Sequence, residues 1–134
     1  MRYLLDTNIL IAAMKGNEAV RARLERTPLS DLILSPVVLG ELEFGAGKSA
    51  HSERNHARLT ELAGQIPLAM LDVETSRCYG RIRAALESRG TPIGANDTWI
   101  AAQALTLKAV MVTDNVGEFS RVPGLEMENW LERG

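Results

Sequence analysis

Two short apolar runs, Tyr3-Leu4-Leu5 and Ala109-Val110-Met111-Val112, most narrow what this chain can fold into. Each is unbroken and each is closed by polar residues: Asp6-Thr7-Asn8 after the first, Thr113-Asp114 after the second. That is the pattern of a strand buried on both faces, which occurs in parallel sheets covered by helices.

The rest of the chain supplies those helices. Asn8 to Met14 reads as a short helix stopped around Gly16, and Glu18 to Arg26 as a second that ends before Pro28. Leu32-Ile33-Leu34 is another buried strand. Ser35-Pro36 then starts a helix with a side-chain cap and a proline where no amide donor is needed. This helix carries Val37 to Phe44 and is expected to loosen at Gly45 and Gly47. A polar, basic helix follows over Ser52–Ala63, a strand over Pro67–Leu71, and a long helix over Glu74–Arg89 closed by Gly90. The loop Thr91–Ala95 feeds a helix over Asp97–Leu107, and a last strand is expected over Leu125–Met127. Strands alternating with helices give an α/β fold with a small parallel sheet between helices. With no internal repeat and no linker-like stretch, residues 1–134 read as a single domain.

Composition excludes several classes. A hydrophobic fraction of 46% argues against disorder, and a formal net charge of −2 argues against coating nucleic acid through bulk positive charge. Cys78 is the one cysteine, so no internal disulfide can form. The apolar N-terminal stretch is broken at Asp6, Thr7 and Asn8, as neither a signal peptide nor a membrane span would be; a reducing cytoplasm is the expected setting.

In parallel α/β sheets ligands bind at the carboxyl ends of the strands, near a topological switch point. Asp6 and Asp114 each follow directly on a buried strand. Glu41 falls in the second turn of the helix after Leu32–Leu34, and Asp97 in the first turn of the helix entered from Gly94. Topology alone therefore brings four carboxylates to one rim. Singly, each has an ordinary reading: Asp6 as a helix cap, Asp97 as a first-turn acid favoured by the helix dipole, Glu41 as a solvated residue like Glu43, Asp114-Asn115 as a turn. Together they would repel unless they hold divalent cations, and an oxygen-only set favours Mg²⁺ or Mn²⁺. Two ions roughly 3.5–4 Å apart would orient an attacking water on a phosphodiester and stabilise its leaving oxygen.

These residues resemble the PIN-domain family, specifically the VapC-type toxins of bacterial toxin–antitoxin pairs. Leu5-Asp6-Thr7-Asn8 is similar to its first acidic motif. The stretch from Ser35-Pro36 through Glu41 to Gly45 is similar to the second, with Glu41 rather than Glu43 in the metal position. Pro92-Ile93-Gly94-Ala95-Asn96-Asp97 through Ala102 is similar to the third, and Val112-Thr113-Asp114-Asn115 with Glu118-Phe119 to the fourth. The third is the most specific, and the four occur in the family's order between Met1 and Trp130. The resemblance implies a three-layer α/β/α PIN-like domain and an endoribonuclease dependent on Mg²⁺, with Mn²⁺ as substitute, that leaves a 3′-hydroxyl and a 5′-phosphate. By position it makes Asp6, Glu41 and Asp97 the primary catalytic and metal-binding acids. Asp114 takes the fourth position, where many members carry Asn; Asn8 and Thr113 take supporting positions. It also implies partners: RNA, with tRNA foremost; a VapB-type antitoxin, whose basic side chain enters the acidic site; a second copy of the chain; and operator DNA only through the antitoxin.

Other features carry paired readings. Lys48, His51, Arg54, His56 and Arg58 form a basic stretch that would touch RNA phosphates or simply face solvent, as would Arg77, Arg81 and Arg83. Neither histidine has metal-ligand spacing. Trp99 would stack a base or pack internally; Tyr79 and Cys78 read as structural, and Phe44 as part of a dimer or antitoxin surface. Two rivals to the ribonuclease are a non-catalytic module docking a basic peptide and a phosphoryl-transfer or receiver domain. The receiver would need an acidic pair after the first strand and a lysine after the last, which this chain lacks.

Overall fold

In the computed structural model, which describes residues 1–131, the strand β1 (Tyr3–Leu5) pairs in parallel on both sides. Residues 132–134 of the span read as one domain lie outside the described residues. β2 (Leu32–Ile33) flanks β1 on one edge and β3 (Val110–Val112) on the other; β4 (Met127–Glu128) adds outside β3, giving the all-parallel order β2-β1-β3-β4. Leu4, Leu5, Val110, Met111 and Val112 are all buried. Successive strand side chains point to opposite faces, so burial at every position means that helices cover both.

Between β1 and β2 lie α1 (Thr7–Met14) and α2 (Glu18–Arg26); between β2 and β3 lie α3 (Pro36–Gly47), α4 (Ser52–Ala63), α5 (Val73–Ser88) and α6 (Ala95–Thr106). α7 (Val116–Phe119) links β3 to β4, completing seven α-helices among the described residues. Local chemistry sets most boundaries. Asp6, Asn17, Ser35 and Asp72 cap α1, α2, α3 and α5 by accepting backbone amides near the helix start. Gly16 (φ 86°) and Gly90 (φ 72°) follow α1 and α5 in the left-handed region that favours glycine.

Three sequence expectations are corrected. α3 does not loosen at Gly45: it runs to Gly47, because Leu42 and Ala46 are buried on its inner face and α3 packs along α4. Pro67–Leu71 is no strand. It makes one parallel bridge, Leu34 to Leu68, through Leu34 N donating to Pro67 O (2.8 Å) and Ala69 N to Leu34 O (3.0 Å). Leu68 and Met70 stay exposed, so no burial favours extending it. The last strand begins at Met127 rather than Leu125, whose amide closes a turn on Val122 O.

The C-terminal segment is fastened by a cluster the sequence did not announce. Trp130 is buried against Tyr3, with ring centroids 5.3 Å apart, and the Arg23 guanidinium lies 4.8 Å from its ring. Glu128 Oε1 accepts from both Arg23 Nη2 (2.8 Å) and Trp130 Nε1 (3.0 Å). Among the described residues no helix is long and apolar enough to cross a membrane.

The strand order fixes where a site can form. From β1 the chain crosses to β2 on one side and later returns to β3 on the other, so connections diverge between the carboxyl ends of β1 and β3. Asp6 and Thr113-Asp114 stand at that point.

Candidate active site

The β1–β3 register sets Leu5 opposite Val112, and the pairing continues one step as Asp6 N donates to Val112 O at 2.9 Å. Asp6 is consequently fixed by backbone on one side and by side chains on the other. Its Oδ1 accepts the Thr7 amide (2.8 Å) and its Oδ2 accepts the Thr113 hydroxyl (2.8 Å). The residue is only 5% exposed, and burial pushes its carboxyl above the usual range. The Thr113 and Thr7 hydrogen bonds offset part of that rise, while the charges of Glu41 and Asp114 add to it. Asp6 thus caps a helix and occupies the centre of the rim at once.

The other acids gather around it. Glu41, on α3, accepts the Thr7 hydroxyl at 2.6 Å through Oε1. Asp114 accepts the Asn8 side-chain amide at 3.2 Å through Oδ1. Asp97, in the first turn of α6, is pushed up to about 7 by burial first, then by the charges of Glu118 and Asp6, a hydrogen bond with Glu118, and the charge of Glu41. Asp6 is the common neighbour: Glu41 and Asp114 act on it, and it acts with Glu41 on Asp97. Asn8 donates to Asp114 and Thr113 to Asp6.

Glu118 is the residue the sequence reading did not place in the site. Burial works to raise it, but the Gly94 amide (3.2 Å), the Asn115 side-chain amide (2.5 Å), the bond with Asp97 and the nearby Arg121 outweigh burial and hold it low. The two carboxyls are therefore pushed apart, Asp97 upward and Glu118 downward. Thr7 was also missed. Its signal was its place between Asp6 and Asn8, within reach of any acid arriving from the next helix.

The donor set consists of carboxylate oxygens, the chemistry of a hard divalent cation. Among the described residues no basic side chain forms an ion pair with Asp6, Glu41, Asp97 or Asp114. Burial first, and the neighbouring carboxylates after it, raise Asp6 and Asp97. Also among the described residues, no three His, Cys, Asp or Glu side chains form a ready-made ligand cage, since Asp97 is turned to Glu118. The chemistry of this donor set fits a hard divalent cation.

The basic stretch does not act as one patch. Lys48 lies 4.9 Å from the Phe44 ring, and His56 faces Glu43 at 3.8 Å. Arg58 turns into a groove beside Glu41. On α5, Arg77 pairs with Glu74 and Arg83 with Glu87, a solvated charged face. Trp99 stacks on Tyr79 with centroids 4.1 Å apart, which is packing between α5 and α6, and Cys78 is buried.

The PIN domain family model matches residues 3–125. Ribonuclease VapC2 from Rickettsia felis is 36% identical over 97% of this chain and 98% of its own length. The tRNA(fMet)-specific endonuclease VapC from Salmonella typhimurium is also 36% identical, over 97% and 98%. A crystal structure of VapBC2 from Rickettsia felis bound to a DNA fragment from the promoter superposes with a TM-score of 0.91 at 34% identity, covering 97% of this chain and 99% of that one. With a four-stranded parallel sheet, an acidic switch point and relatives aligned end to end, this chain belongs to the PIN-domain family and, within it, to the VapC ribonucleases.

Proposed function

We propose that the chain is the toxin of a toxin–antitoxin pair, a single domain over 1–134 that cuts tRNA hydrolytically with Mg²⁺, or Mn²⁺ in its place. Dependence on a divalent metal is general among PIN-domain ribonucleases. The observation that carries the proposal for this chain is the meeting of Asp6, Glu41, Asp97 and Asp114 at the switch point with no cation paired to them among the described residues. When bound, a divalent ion supplies charge that offsets the phosphodiester and acidifies a water molecule. Asp6, Glu41 and Asp97 would hold it, with Asp114 at the margin, since Asp114 is exposed and acts on Asp6 but is not among the charges acting on Asp97.

The chain's own residues do the positioning. Thr113 and the Thr7 amide fix both oxygens of Asp6. The Thr7 hydroxyl aims Glu41, and Asn8 steadies Asp114. In the metal-free chain burial and the charges of Glu118 and Asp6 push the Asp97 carboxyl up to about 7, so Asp97 would lose its proton on holding a cation, with Glu118 held low beside it. Cleavage by water would leave a 3′-hydroxyl and a 5′-phosphate.

The Salmonella relative's specificity makes initiator tRNA the first substrate to test. The Rickettsia felis VapBC2 complex with promoter DNA supports an antitoxin partner, and operator DNA would be reached only through that antitoxin. An arginine from that antitoxin would satisfy the acidic rim in competition with metal. We further propose a homodimer working in the cytoplasm. Sequencing of RNA 5′ ends after brief induced expression tests the reading. New ends confined to one or a few tRNAs, absent in Asp6→Asn, are expected; growth arrest that persists in Asp6→Asn, or no new ends, would overturn it.

A further inference from the structure

Two grooves meet beside the acidic rim. The first, of about 250 Å³, lies between α1, α3 and α4; it has Glu41 at its mouth, Leu42 and Leu59 in its lining, and the cations Lys15 and Arg58 in its walls. The second, of about 330 Å³, adjoins the first at Met14 and Arg58 and adds Arg21 and Gln65. Lys15 just after α1, Arg21 on α2 and Arg58 on α4 line this pair of grooves, the first of which reaches Glu41. Among the described residues none of the three forms an ion pair, although Glu61 also lines the second groove. Arg21 is anchored, with Nε donating to Ala13 O at 3.1 Å.

We propose that this pair of grooves carries the single-stranded RNA backbone away from the scissile phosphate, with Lys15 and Arg58 as phosphate-positioning residues. The inference rests on the ribonuclease assignment and deepens it. Charge complementarity selects the occupant. A chain of net charge −2 that concentrates carboxylates at its rim repels RNA there, and unpaired cations beginning beside Glu41 supply the opposing attraction. The apolar lining suits the faces of unstacked bases, as in other single-strand grooves.

The test is equilibrium binding of a short oligouridylate in chelator, where metal-dependent hydrolysis is off, across a salt series. It compares the wild-type chain, the double variant Lys15→Gln/Arg58→Gln, and Arg77→Gln/Arg81→Gln on α5, which makes the same charge change on a different face. Losing two phosphate contacts should weaken binding about tenfold at low salt and flatten the log–log salt slope by about 1.4, at about 0.7 per contact on a single strand. The α5 variant should keep the wild-type slope, and far-UV circular dichroism should match in all three. A groove variant with wild-type affinity and slope would overturn the inference. So would one that binds the oligonucleotide normally but loses its co-expressed antitoxin, because the grooves would then belong to the protein partner. A wild-type chain that neither binds nor cuts RNA would overturn the ribonuclease assignment first.

Discussion

Replacing Thr113 by valine probes how Asp6 is held. Thr113 is fully buried; its hydroxyl donates to Asp6 Oδ2 at 2.8 Å and accepts the Asn115 amide at 3.0 Å. Valine fills nearly the same space and removes both bonds. A hydrogen bond to a charged group contributes about 1.5–3 kcal/mol, and its loss leaves a buried carboxylate oxygen without a donor. The Asp6 carboxyl, already raised by burial, must then rise further. The sign follows from linkage: the folded chain keeps a proton on Asp6 that the unfolded chain releases just above 3.8, so stability falls as pH rises through that window. Urea unfolding in chelator should therefore show Thr113→Val losing about 1 kcal/mol at acid pH, from the Asn115 bond, and about 1.5–3 kcal/mol more once Asp6 is ionised. The acid limb of its cleavage profile should move to higher pH. Thr113→Ser, which keeps the hydroxyl, should restore most of both. Destabilisation independent of pH, or serine as damaging as valine, would refute the claim that this hydroxyl serves the charge on Asp6.

Asp97→Asn should separate activity from stability. Without metal, Asp97 is pushed from 3.8 to about 7, so the folded state holds a proton the unfolded chain lacks and stability declines as pH climbs between those values. At pH above 7, thermal melts in chelator should show the variant more stable than wild type, by about 1 kcal/mol after solvent screening of this half-buried group, and with a flatter pH dependence. Trp130→Ala should cost about 3–5 kcal/mol in urea unfolding, because a buried indole leaves a cavity and the Arg23–Glu128 pair loses its neighbour.

What could be read from the chain beforehand was what depends on local order. Buried strands closed by Asp6 and Asp114, the Ser35-Pro36 helix start and the glycine stops at 16 and 90 are signals a few residues long, and the parallel topology then placed the acids on one rim. What could not be read depends on distant partners. Glu118 joins the site only because the Gly94 amide and Asp97 come to it from α6, and Trp130 is buried by Tyr3 and Arg23 from the other end of the chain. The expected strand at Pro67–Leu71 failed for the converse reason. Its residues have strand-like character, but only Leu34 offers it a pairing partner, and Leu68 and Met70 find nothing to be buried against.

The central claim is that Asp6 and Asp97 hold the metal on which RNA cleavage depends. Cleavage of initiator tRNA by antitoxin-free protein, titrated with Mg²⁺ after treatment with chelator, tests it most directly. The rate should be absent in chelator, return with Mg²⁺ or Mn²⁺, and fall at least about 100-fold in Asp6→Asn and in Asp97→Asn. Cleavage that survives chelation, or that is undiminished in both variants, would contradict it.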